Sequence, residues 1–285
     1  MYDHIFYFDL KSSYPYAFTF PLPVSGWKYI DGLRSPEKLI SYLREMDTSK
    51  EGLLIRIDCF SPPSTHDWLN DLPVTIAKTS FPSEYYPNKS DYKHGCKAEK
   101  LIGHLGLVAE YTCTSQELSL MLSLGVIITK VHAVIRFDMK PFASKLISKL
   151  SLERQKAVEE KNDALAFIIK IFLNSLFGKT LLNKLKYNST HIVFNRNQLE
   201  NRVASSLFMR ASVQKHSAIT ISHQKKVKFD SLVHIGCSIL AISKTILISY
   251  YYSLKTYIET IKYILPNPKF RGIYFDTDSF IILIT

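Results

Sequence analysis

The chain opens and closes on the same chemistry. A short aromatic and β-branched run, Ile5-Phe6-Tyr7-Phe8, ends at Asp9, and near the other end of the 285 residues two apolar runs flank Asp276-Thr277-Asp278. The first run predicts a buried strand, and the second pair predicts a β-hairpin with acidic residues at its tip. A fold that pairs the opening strand with that hairpin brings the carboxylates together, at a cost in repulsion that a cluster without purpose has no reason to bear. If Asp-Thr-Asp is extended, its outer side chains point to one side; if a turn intervenes they diverge, one to ligate and one to support. Read alone, an Asp-x-Asp is an ordinary turn, because Asp is a favoured turn residue. The combination carries the argument.

Between these ends, residues 53–60 and 72–77 read as strands separated by a loop at Pro62 and Pro63. Residues 116–124 have helical spacing, Gly125 is a helix stop, and residues 126–137 are rich in Val and Ile like a strand. Residues 141–160 and 163–178 carry a 3.6-residue period broken at Lys161 and Asn162, which predicts an antiparallel helical hairpin. The longest apolar stretch, residues 232–252, is interrupted by His234 and Lys244 and reads as a core helix, not a membrane span. A Pro266-Asn267-Pro268 break precedes the final hairpin. Cys59, Cys96, Cys113 and Cys237 are scattered without a Cys-x-x-Cys pair, so neither a zinc site nor a disulfide framework is indicated.

Charge is unevenly spread. Between Lys179 and Lys228 ten Lys or Arg residues meet one acidic residue, Glu200, and this tract supplies most of the formal net charge of +11. Such a run is either a solvated face or a surface that tracks a polyanion. Just before it, Lys170, Asn174 and Gly178 fall at i, i+4 and i+8 with Phe177 beside them, so that Lys170 and Asn174 share a helix face and can address one ligand. The ordinary reading of that face is a snorkelling lysine; the functional one is a cation that neutralises phosphates.

Three strings set the choice. Asp9-Leu-Lys-Ser-Ser-Tyr-Pro15 resembles motif A of the family B DNA polymerases, Asp-x-x-Ser-Leu-Tyr-Pro. Lys170-Ile-Phe-Leu-Asn-Ser-Leu-Phe-Gly-Lys179 resembles motif B, Lys-x-x-x-Asn-Ser-x-Tyr-Gly-Lys, and Tyr274-Phe-Asp-Thr-Asp-Ser279 matches motif C. They stand in the family's order. The form of motif B and the long insertion between motifs A and B look most like the protein-primed branch of phages, adenovirus-like viruses and organellar linear plasmids. Ser13 stands where the family has Leu, Phe177 where it has Tyr, and Lys244 where an Arg is expected.

The resemblance implies an α/β (α+β) fold: an antiparallel palm sheet, a helical fingers hairpin and an inserted mixed α/β region. It divides the chain into a motif A palm strand at 1–20, an insertion that contacts a terminal protein at 21–140, fingers at 141–180, a DNA-tracking basic insertion at 181–230 and the motif C palm at 231–285. The strings span Asp9 to Ser279, with no exonuclease motif before them and no Lys-x-Tyr thumb motif after, which implies the palm-and-fingers middle of a family member. Template-dependent addition of deoxynucleotides to a DNA primer is the implied activity, with a catalytically inactive nucleic-acid-binding remnant and a protein-primer docking module as the alternatives.

By the same resemblance Asp9 and Asp278 ligate two Mg2+ ions, or Mn2+, with the backbone carbonyl of Leu10 completing a site and Asp276 assisting. Two hard cations held roughly 3.5–4 Å apart need carboxylate oxygens to offset their mutual repulsion. Tyr14 stacks under the sugar, and its ring fills the space of a ribonucleotide 2′-OH. Lys170, with Arg154 or Lys156, meets the triphosphate; Asn174 and Phe177 close over the nascent pair; Ser175, Gly178, Lys179 and Thr277 contact DNA. Implied partners are primer-template, deoxynucleoside triphosphates and a terminal protein primer, without a membrane, at a mitochondrial, other organellar or viral replication site.

Overall fold

The structure, a computed structural model, describes residues 4–80, 99–260 and 269–284. Cys96 and the Pro266-Asn267-Pro268 break lie outside the described residues. The chain divides into two compact units, the first made of Met1–Asn174 and Cys237–Thr285 and the second of Ser175–Gly236.

In the first unit, β1 (His4–Asp9) leads into the short α1 (Ser13–Ala17), then β2 (Leu22–Tyr29), α2 (Pro36–Glu45) and β3 (Glu51–Phe60). There follow α3 (His66–Leu69), the β4 (Ile76–Thr79) and β5 (Lys100–Gly103) pair, β6 (Val108–Thr114), α4 (Ser115–Ser123) and β7 (Ile127–Lys140). Then come α5 (Ser144–Glu159) and α6 (Asp163–Thr180), the latter running on into the second unit.

The larger sheet has strand order β2-β7-β3-β6 with every pairing antiparallel. Strict alternation makes β3 what it is: Leu53, Ile55, Ile57 and Cys59 all point inward and are fully buried. On β7 the buried residues Ile128, Val131 and Val134 are three apart. The reason is that its register with β3 steps between Arg56 and Ile57 and again between Asp58 and Cys59, each step carrying an extra residue past the pleat. The turn into α4 is closed by a capping box in which Thr114 and Glu117 each satisfy the other's backbone N–H. The helix stops at Gly125, whose φ of 89° suits glycine alone.

The strand expected at residues 72–77 begins only at Ile76. Pro73 has no N–H to give to a ladder, so the preceding residues run as bends. The two expected helices after residue 140 are present, with Lys161 turning the chain at a φ of 58°.

The second unit folds the basic tract as β8 (Asn188–Val193), α7 (Arg196–Val203), β9 (Phe208–Val213) and β10 (Ala218–His223). Its antiparallel sheet has β10 in the centre. Val193, Ala218 and Thr220 are its buried floor, Asn195 caps α7 by accepting from the Asn197 N–H, and Lys184 pairs with Asp230.

The chain then enters α8 (Val233–Thr260) and ends in β11 (Phe270–Asp276) and β12 (Ser279–Ile284). By length and composition α8 is apolar enough to cross a membrane, and half of its most apolar stretch is buried. Leu247, Ile248, Tyr251, Tyr252 and Ile258 share one core with the inward residues of β3 and with Phe270, Phe280 and Ile282 of the terminal hairpin. The α/β architecture with antiparallel sheets is therefore the expected one.

Candidate active site

The strands that end in carboxylates form one antiparallel sheet in the order β1-β12-β11. The opening strand thus pairs with the last strand, and β12 lies between the two that carry Asp9 and Asp276. In register, Asp9 faces Ser279 from one side and Asp276 faces it from the other. The Leu10 N–H donates to the Asp278 carbonyl at 2.8 Å, fastening the end of β1 to the hairpin tip. The tip itself turns at Thr277, whose φ of 52° lies in the left-handed region that few residues other than Gly, Asn and Asp adopt.

That turn separates the two hairpin carboxylates. Asp276 accepts from the Thr277 hydroxyl at 2.8 Å and the Tyr274 hydroxyl at 3.3 Å, held by its own strand. Asp278 is half-buried, and burial, then the charge of Asp9, then that of Asp276 push its carboxyl above the ordinary range. The Tyr14 phenol is raised as well, by burial first and then by Asp278 and Asp276, so the motif A ring stands in the field of the motif C carboxylates.

Among the described residues no three His, Cys, Asp or Glu side chains converge into a ready-made metal cage. The pair formed by Asp9 and Asp278 nevertheless fits a hard divalent cation. Its donors are oxygens only, the two carboxylates repel each other, and no Lys, Arg or His among the described residues forms an ion pair with either.

Beside motif A, an open groove of about 660 Å³ is lined by Lys11, Ser12, Tyr16, Ser148, Ser151 and Arg154, among others. The Arg154 guanidinium donates to the Ser12 hydroxyl at 2.8 Å, which ties α5 to the chain just past Asp9. Lys156, two residues on, points elsewhere and is exposed, since i and i+2 on a helix do not face each other. Of the two candidate phosphate contacts, only Arg154 is brought to motif A.

On α6, Ala166, Ile169 and Leu173 make the buried stripe, and Lys170 and Asn174 lie exposed together beside it. Neither forms a hydrogen bond or ion pair with the carboxylate sheet among the described residues. Ser175, Phe177, Gly178 and Lys179 continue the helix within the second unit. Gly178 is open on its outer side, with nothing near an added Cβ.

Sequence reasoning missed two supports. Ser13, the departure from the family's Leu, is buried and hydrogen-bonds Ser243 of α8, 230 residues away. Nothing local marks a pairing at that separation. Lys244, next to it, faces the insertion instead: its ammonium donates to the Tyr111 hydroxyl at 3.2 Å and lies 3.8 Å from Glu117.

The class is that of the type B DNA polymerases. More particularly, the model of the family described as DNA polymerase type B, organellar and viral, matches residues 1–247, and the chain belongs to that family. Motif C, at 274–279, lies beyond the matched span and rests on its own string and on the register with β1. No curated protein and no solved structure matches the chain.

Proposed function

We propose that this chain carries the nucleotidyl-transfer site of a DNA-directed DNA polymerase, elongating a primer with deoxynucleotides in a protein-primed mode of replication. The observation that carries the reading is the union of two carboxylates from opposite ends of the chain: Asp9 at the end of β1, and Asp278 in the turn that leads into the adjoining β12. Asp9, Asp278 and the Leu10 carbonyl would hold two Mg2+ or Mn2+ ions, with Asp276 in support. Bound there, the ions would supply positive charge that stabilises the negative charge developing on the attacking 3′-oxygen and the departing pyrophosphate.

The chain's own groups position the reactants, and position is where most of the rate comes from in phosphoryl transfer. Tyr14, in the field of the carboxylates, would bar a 2′-OH by filling its space, a repulsive form of selection. Arg154 in the groove and Lys170 on α6 supply positive charge for the triphosphate. Asn174 and Phe177 would close over the new base pair, while Ser175, Gly178, Lys179 and Thr277 meet the DNA. Phe177 keeps a stacking ring but lacks the hydroxyl of the family's Tyr, which favours a change in fidelity over a loss of activity.

The test is extension of a labelled primer on a DNA template with Mg2+ or Mn2+, run beside Asp9→Asn and a DNA-binding assay at graded salt. Extension by the wild type that is lost in the variant supports the reading. Binding that weakens with salt, without extension, assigns the chain to nucleic-acid binding alone.

A further inference from the structure

Asp71 belongs to none of the three strings, yet it reaches the strand that carries Asp276. That strand does not pair evenly: in β11 Gly272 lies opposite Ile282 and Tyr274 opposite Ile281, so Ile273 is an extra residue between them. A one-residue slip in a strand exchanges its two faces. The bulge therefore decides which face of the sheet receives Asp276.

Two hydrogen bonds converge on one oxygen to hold it. The Gly272 N–H donates to Asp71 Oδ2 at 3.0 Å, and the Tyr251 hydroxyl donates to the same atom at 3.2 Å. Tyr251 is fully buried, with its ring against Phe270, Phe275 and Phe280 at 5.1–5.7 Å. Burial, with the Asp71 charge second, keeps its proton in place, so the phenol remains a donor. Space is equally tight at the bulge: a Cβ on Gly272 would lie 2.5 Å from Phe275 Cζ and 2.9 Å from the Tyr251 hydroxyl. Only glycine fits there.

We propose that Asp71 is a positioning residue for the polymerase site, acting through the Gly272 N–H and the Tyr251 hydroxyl to fix the β11 bulge and so the face on which Asp276 joins Asp9 and Asp278. This rests on the polymerase reading. Asp71→Asn keeps an oxygen that can accept both bonds, whereas Asp71→Leu keeps the bulk and removes both. Tyr251→Phe keeps the ring and removes one.

The experiment compares wild type with these three variants by Mn2+ binding from water-proton relaxation, by the kcat and KM of primer extension, and by thermal melting. The Asn variant is expected to retain wild-type Mn2+ affinity and kcat. The Leu variant is expected to lose about tenfold to hundredfold in both, the range for groups that orient metal ligands, with a smaller change in the KM for deoxynucleotide. If the Leu variant does not melt cooperatively, Tyr251→Phe carries the comparison, with a smaller loss in the same direction. A folded Leu or Phe variant with wild-type Mn2+ affinity and kcat overturns the role of Asp71 and leaves the polymerase reading standing. A wild type that neither binds Mn2+ nor extends a primer contradicts the polymerase reading itself, and the positioning role falls with it.

Discussion

The two larger antiparallel sheets of the first unit are built on opposite plans. In the sheet of the insertion, β3 hides Leu53, Ile55, Ile57 and Cys59 completely. In the carboxylate sheet, β1 is exposed along all six of its residues, and the hairpin is rooted in the core through Phe270, Phe280 and Ile282. The first sheet is built around a buried face, and the second presents the carboxylates of the proposed site. The second is fixed from one side by the buried Tyr251 ring, which packs against Phe270, Phe275 and Phe280.

The largest effect expected from that contrast is functional. Asp278→Asn removes a carboxylate that burial and its neighbours already strain, and it should abolish nucleotide addition while DNA affinity stays the same or rises slightly and thermal melting is unchanged. A variant that loses its cooperative melt would show that the carboxylate sheet holds up the fold after all. Next in size is a matched pair of truncations. Ile57→Ala opens a cavity in the buried sheet and should cost about 2–5 kcal/mol in a denaturant titration, whereas Ile5→Ala on the exposed strand should stay within about 0.5 kcal/mol. Equal costs would erase the distinction between the sheets.

A smaller effect concerns selection. Tyr14→Ala should raise the use of ribonucleotides relative to deoxyribonucleotides in single-nucleotide incorporation, and an unchanged ratio would remove Tyr14 from the gate. The smallest lies in the insertion sheet, where Asp58 accepts from the Glu110 N–H and from His132, each at 2.7 Å, and is held below the ordinary carboxylate range by those bonds in that order. A depressed folded-state value means that the contribution is present above the unfolded value of about 3.9 and is lost as pH falls through the folded one. Asp58→Asn should therefore shallow the loss of stability below about pH 4, measured by melting across an acid series.

Much of this was legible in the residues. Apolar runs ending in Asp9 and flanking Asp276-Thr277-Asp278 are strands, and their union follows from chemistry; the first, expected to be buried, is instead exposed along its whole length, because it lies at the edge of its sheet. The Val and Ile run of β7 was equally plain, but its bulges were not, because a register step depends on the partner strand. Pro73, which cannot donate to a ladder, cuts the expected strand at 72–77 short so that it begins at Ile76. The second unit was visible only as charge: β8 is mostly polar, and both β8 and β9 are exposed at most positions, so they show no clean period-2 alternation. The pairings of Ser13 with Ser243 and of Asp71 with Gly272 and Tyr251 left no trace in the sequence, since each joins residues about two hundred positions apart.

The measurement that tests the central claim most directly is a double-mutant cycle on Asp9→Asn and Asp278→Asn, read by primer extension and by Mn2+ binding. If the two carboxylates act as one site, either single change removes nearly all that the double change removes, because groups that work as a unit are strongly non-additive. Independent losses that simply add, or a single variant that extends and binds Mn2+ like the wild type, would contradict the pairing of Asp9 with Asp278 as the catalytic centre.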